Sequence, residues 1–154
     1  MVTSYQSKLQ EPKPQPYPNV DSFMSRSFVR VSPDTDIYTA MAMLLKHQVS
    51  GAPVVDGEDR LLGFISEKDC LSLVAHDSYD HMQHGGPVTK FMTAQVLTLT
   101  PEMGLNEVAE IFMSKPYRKL PVVDGGKLVG VVRRRDALGV VQKFYKERAK
   151  ALKN

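Results

Sequence analysis

Two aspartates, Asp69 and Asp136, close the same short pattern: a glycine, two apolar residues, three polar or charged residues and the acid. In full these are Gly63-Phe64-Ile65-Ser66-Glu67-Lys68-Asp69 and Gly130-Val131-Val132-Arg133-Arg134-Arg135-Asp136. An apolar run giving way to such a polar stretch reads as a strand entering a helix, with the acid about one turn in. A carboxylate there can accept two hydrogen bonds at once and points into the cleft beside the helix start. The same helix end offers backbone N–H groups and a partial positive charge, which suit a phosphate. Cations for that phosphate are unequally distributed. Arg118 and Lys119 precede Pro121, whereas Ser50 and Gly51 hold the matching places before Pro53. Arg133, Arg134 and Arg135 likewise align with Ser66, Glu67 and Lys68. A charge-assisted hydrogen bond contributes about 1.5–3 kcal/mol and each 1.4 kcal/mol or so is tenfold in affinity, so two or three decide whether a site binds. The expectation is one competent site, or two unequal ones, biased toward ligands that carry phosphate.

Each residue also has a structural reading. Asp69 and Asp136 suit a helix start through the macrodipole alone. Ser66 suits an N-cap, leaving Lys68 in solvent. Arg133 to Arg135 read equally as a solvated face or a nucleic-acid patch. Cys70 reads as a buried, inert thiol, and Met41, Met43, Met103 and Met113 as core or dimer-contact fillers. His76, Asp77, Asp80, His81 and His84 crowd one connector, but their spacing matches no metal signature and no metal is expected.

The pattern repeats because the chain does. Phe23 to Val74 and Phe91 to Val141 align, with Pro33 on Pro101 and Pro53–Asp56 on Pro121–Asp124. In the first copy, residues 28–31 are β-prone and Ser32-Pro33 stops them. Asp34 or Thr35 caps a helix whose apolar face is Ile37, Ala40, Met41, Leu44 and Leu45. Strands 52–55 and 61–65 form a hairpin across the Asp56-Gly57-Glu58-Asp59 turn, and a helix runs from about Glu67 to Ala75. The second copy reads strand 96–99, helix 103–114, strands 120–123 and 128–132, and a final helix from about 134 that continues past Val141. The class is α/β: two β-α-β-β-α units whose small sheets need mutual cover, packed about a pseudo-twofold axis with a shared core.

Residues 1–20, with Pro12, Pro14, Pro16 and Pro18, read as a Pro-rich mobile tail; 21–75 and 89–143 are the repeats, 76–88 the connector and 144–154 a basic helix end. The chain of 154 residues has a net charge of +3 and a single cysteine, which excludes an internal disulfide. That fits a reducing, cytoplasmic setting. No apolar run approaches the roughly 20 residues of a membrane span, and MVTSYQSKLQ has no signal-peptide core. Local basic charge without interleaved aromatics argues against nucleic acid. No nucleophile and base are paired, which argues against an enzyme.

The repeats resemble cystathionine-β-synthase (CBS) domains, and the pair resembles a stand-alone Bateman module. The marks are the opening Phe-Met-Ser/Thr, the Ser/Thr-Pro before the first helix, the Pro-Val-Val-Asp strand, and the glycine-to-aspartate pattern, each found twice. The resemblance implies a regulatory module, commonly a disk-like homodimer. It would bind an adenine nucleotide (AMP, ADP or ATP, with S-adenosylmethionine second) between the repeats and act on a regulated protein partner. It implies that Asp69 and Asp136 hold ribose hydroxyls, that Ser66 contacts ribose or phosphate, and that Arg118 or Lys119 reaches phosphate; Lys68, Arg133 and Arg135 join them by charge and place as candidate nucleotide-binding residues. Arg133 departs from the family's Ser or Thr. Ile65 and Val132, with Ala52 and Leu120, are the expected purine walls. The alternative is a ligand-free dimerising scaffold.

Overall fold

The opening segment of each repeat crosses to the other repeat and completes its core. This follows from a computed structural model that describes residues 17–75 and 85–153. Residues 1–16 and 76–84, including the histidines of the connector, lie outside it. The elements are α1 (Val20–Phe23), α2 (Ile37–His47), β1 (Gly51–Val55), β2 (Leu61–Ser66), α3 (Glu67–Ala75), α4 (Leu105–Ser114), β3 (Lys119–Asp124), β4 (Lys127–Arg133) and α5 (Arg134–Lys153).

Each copy contains one antiparallel hairpin, β1 with β2 and β3 with β4. Their registers match: Pro53 faces Phe64, Pro121 faces Val131, and both ladders slip at the residue after Val54 or Val122. Asp56 shapes the first turn by accepting the Glu58 and Arg60 backbone N–H groups at 2.9 and 3.0 Å. The second turn is one residue shorter, and Gly125 and Gly126 both take positive φ (58° and 82°), as a two-residue hairpin demands. The expected strands 28–31 and 96–99 shrink to single parallel bridges, Val31 to Val54 and Leu99 to Val122. The prolines explain the form of this edge. The Val31 N–H donates to the Pro53 carbonyl, and the Val55 N–H donates to Val31, so the ladder steps around the donor that proline lacks.

Helix limits differ slightly from expectation. Asp36, rather than Asp34 or Thr35, caps α2 by accepting the Tyr38 N–H at 3.0 Å. The Ser32 hydroxyl engages Asp34 and Thr35 instead. Helix α4 starts at Leu105, two residues later than expected, after Gly104. The buried stripe of α2 is Ile37, Ala40 and Leu44; Leu45 lies off it and is 76% exposed. Helix α5 does run unbroken past Val141, to Lys153.

The buried residues form two clusters among the described residues, not the shared core expected from stacking. One joins Leu99, Leu105, Val108, Leu120 and Val122 of the second repeat to Val20 and Met24. The other joins Val31, Ile37, Leu44, Val54 and Ile65 of the first repeat to Val88, with Phe91 and Met92 packed against it. Tyr17 onward is therefore docked structure. The Leu105 N–H donates to the Pro18 carbonyl at 2.9 Å, and Tyr17 packs on Phe144 with ring centroids 5.0 Å apart. Ser25 bridges Val131, and Thr93 bridges Phe64. These crossings account for the pattern glycines. A Cβ on Gly63 would lie 2.8 Å from the Thr93 carbonyl oxygen, and one on Gly130 would lie 3.0 Å from that of Ser25. Only glycine lets the other repeat's backbone pass so close.

The two hairpin turns also touch, through an Arg60–Lys127 bridge. The result is an α/β fold of two matched units packed about a pseudo-twofold axis. The clefts lie where the crossing segments run beside the β-to-helix junctions.

Candidate functional site

The junction of β2 and α3 carries Ser66 and Asp69, three residues apart at a helix start. They form a capping box: the Asp69 N–H donates to Ser66 Oγ at 3.1 Å, and the Ser66 N–H donates to Asp69 Oδ2 at 2.9 Å. The Ser66 hydroxyl also donates to Oδ2 at 2.9 Å. Both bonds that the carboxylate accepts use Oδ2, and neither uses Oδ1. The capping reading of Ser66 is thus realised, and it fixes the Asp69 rotamer.

Asp69, Ser66 and Lys68 line a cleft of about 630 Å³, walled by Phe64 and Leu120. Arg118 and Lys119, which belong to the other repeat, line it as well. The sequence had grouped those cations with Arg133 and Asp136; the fold brings them into one cleft with Asp69. Lys119 spans the pseudo-axis, its Nζ donating to the Gly51 carbonyl at 3.0 Å. Burial, then the nearby Arg133 guanidinium, hold its pKa below the ordinary 10.5.

The helix end has less to offer an anion than the sequence suggested. The Glu67 N–H donates to the Ser50 carbonyl at 2.9 Å, and the Asp69 N–H is spent on the cap. At the matching place the Arg134 N–H donates to the Arg118 carbonyl at 2.8 Å. Any attraction for an anion here therefore falls mainly to the side-chain cations.

A second cleft of about 590 Å³ repeats the first with roles exchanged, lined by Phe28, Val29, Arg30, His47, Val131 and Arg133. Here the carboxylate is occupied. Arg133 Nε donates to Asp136 Oδ2 at 2.7 Å, and its terminal nitrogen donates to Oδ1 at 2.9 Å. This fork uses both oxygens, and Asp136 lines neither cleft. Between the clefts lies a third concavity of about 370 Å³ with Arg118, Lys119, Arg133, Arg134 and Arg135 on its walls and Glu67 the single acid.

Of the residues singled out by sequence, Ser66, Lys68, Asp69, Arg118 and Lys119 thus share one cleft. Arg133 faces the second, Arg135 the central concavity, and Asp136 is paired. The purine walls need correction. Ile65, Val132 and Ala52 are fully or almost fully buried in the cores. Of the four expected walls, Leu120 does line the first cleft, and on β2 strand alternation turns Phe64 outward beside the buried Ile65; Val131 borders the second cleft but is itself buried. Sequence reasoning missed Thr93, Gln95, Val96, Leu97 and Tyr117, which complete the first cleft. Their signal was the repeated Phe-Met-Ser/Thr opening, whose crossing no local pattern announces. Cys70 is buried, and desolvation pushes its thiol pKa up, away from the reactive thiolate. Among the described residues no group of three or more His, Cys, Asp or Glu side chains is placed to hold a metal. No helix there is long and apolar enough to cross a membrane.

Comparison with known proteins bears on both fold and site. The CBS domain family matches residues 20–76 and 88–143. The chain is 37% identical over 110 residues to inosine-5'-monophosphate dehydrogenase of Aquifex aeolicus, covering 70% of this chain but 21% of that enzyme. It spans less than two thirds of two further curated relatives as well. The CBS domain-containing protein YhcV of Bacillus subtilis is 28% identical over 136 residues, covering 88% of this chain and 94% of its own. The crystal structure of CBSX2, a CBS-pair protein of Arabidopsis thaliana, in complex with AMP superposes with a TM-score of 0.75. The two are 28% identical, over 83% of this chain and 98% of CBSX2. With two family matches that together span most of its length, the chain belongs to the CBS domain family as a tandem pair.

Proposed function

We propose that this protein is a regulatory module that binds an adenine nucleotide in the cleft holding Asp69. The observation that carries the reading is that a fixed carboxylate and two cations line one cleft. Asp69 comes from one repeat, and Arg118 and Lys119 from the other. Ribose hydroxyls donate to the Asp69 carboxylate, the base lies between Phe64 and Leu120, and the phosphate reaches Arg118. A relative 28% identical that binds AMP supports the same chemistry. Because these residues belong to different repeats, a bound nucleotide changes their relative position, and a protein partner reads that change. Regulation, not turnover, is the output.

A thermal-shift screen with AMP, ADP, ATP, S-adenosylmethionine and GTP, with and without Mg²⁺, tests this. A ligand of the folded state raises the melting temperature by mass action. An adenine nucleotide raises it, and GTP at the same concentration does not. No shift with any of them at millimolar concentration would overturn the reading.

One observation favours a second, scaffolding role. Leu45 and Met113 are 76% and 88% exposed, and Leu71 and Leu138 are both 68% exposed. These are aligned pairs on α2, α4, α3 and α5, a repeated apolar feature suited to homodimerisation. Leu71→Glu with Leu138→Glu lowers the mass in light scattering if the helices form that interface, and leaves it unchanged if they do not.

A further inference from the structure

Resting on the reading that Asp69 holds a nucleotide, we infer that Arg133 closes the second cleft and sets the stoichiometry at one nucleotide per chain. The second cleft has nearly the volume of the first, about 590 against 630 Å³. It has an apolar wall of its own, in Phe28 and Val29, and a cation in Arg30. What distinguishes it is the carboxylate. Ser66 uses one oxygen of Asp69 and leaves the other out of the cap. Arg133, at the aligned position, takes both oxygens of Asp136 in a charged fork at 2.7 and 2.9 Å. A pair of ribose hydroxyls would have to displace a guanidinium from that carboxylate. Neutral donors form weaker hydrogen bonds than the charged pair they would replace. The arginine that the sequence assigned to phosphate therefore holds the carboxylate that a ribose would need, and the paired Asp136 does not reach the lining of the cleft. It is a specificity residue that decides which cleft is open.

The inference predicts a gain of binding from a single change. Arg133→Ser restores the residue type found at position 66, rebuilds the capping box with Asp136 and frees its second oxygen. Calorimetric titration with AMP gives one site per chain for the wild type and two for Arg133→Ser. In Asp69→Ala with Arg133→Ser, one site persists, and adding Asp136→Ala removes it. Arg133→Lys, which keeps the charge but not the fork, separates occupation of the carboxylate from bulk charge and also gains a site. Circular dichroism verifies that each variant is folded. Two sites in the wild type, or no added site in folded Arg133→Ser, overturns the inference. The two failures are distinct. A wild type with two sites leaves nucleotide binding intact. A wild type that binds nothing while Arg133→Ser binds one equivalent removes the Asp69 reading and keeps the role of Arg133.

Discussion

The two β-to-helix junctions have the same backbone and opposite electrostatics. At the first, a serine caps the helix and aligns Asp69 with half its carboxylate uncommitted. At the second, an arginine at the end of β4 reaches forward over the first turn of the helix and pairs with Asp136. The substitution of one residue type changes a hydrogen-bond acceptor into a closed ion pair while the hairpin register beside it is unchanged. Duplication gives two equivalent positions, and divergence at a single side chain makes them inequivalent. The cations show the complementary lesson. Arg118 and Lys119 belong to the second repeat in sequence but serve the cleft of the first.

The comparison is most severely tested at the crossing points. Gly63→Val forces a branched side chain against Met92 and the Thr93 carbonyl, and is expected to destabilise by about 3 kcal/mol, the upper range for overpacking. Chemical denaturation measures it, and Gly130→Val should cost a similar amount if the two crossings are equivalent. Next, Arg118→Ala weakens AMP binding by about tenfold to a hundredfold, as loss of a charged hydrogen bond does. Adenosine, lacking phosphate, is bound equally by both forms. A smaller contrast lies in the caps. Ser66→Ala costs about 1 kcal/mol of stability as an N-cap is lost, whereas Arg133→Ala breaks a bidentate but largely exposed ion pair and costs less than that. The least effect is on pH dependence. Lys119 is held below 10.5 in the folded state, so the unfolded chain binds that proton more tightly. Stability contributed by this group therefore rises as pH climbs from its lowered value toward 10.5, and Lys119→Met lacks the rise.

The repeat order, both hairpins and the long final helix were legible in the sequence because each rests on local signals. Apolar runs, turn glycines and the absence of a breaker after Val141 suffice for those. The first strands were overread: Phe28 to Val31 has β-branched and aromatic residues, yet only Val31 finds a partner edge. Leu45 was misplaced because helical spacing alone does not say how wide the buried stripe is. Of the expected purine walls Leu120 does line the first cleft, whereas Ile65, Val132 and Ala52 are buried; on β2 a parity slip of one residue, from Phe64 to Ile65, separates cleft from core. The carboxylates and cations were identifiable by type and spacing. Their partnership across repeats was not, since it depends on how Phe23 to Ser25 and Phe91 to Thr93 exchange places. Nor does a sequence reveal that Arg133 turns onto Asp136 rather than toward solvent.

Calorimetric titration of AMP into Asp69→Ala and Asp136→Ala, side by side with the wild type, tests the central claim most directly. The account predicts that Asp69→Ala loses about a hundredfold or more in affinity, as two hydrogen bonds to a charged acceptor are removed, while Asp136→Ala binds like the wild type. Equal losses in the two variants, or a loss confined to Asp136→Ala, would contradict it.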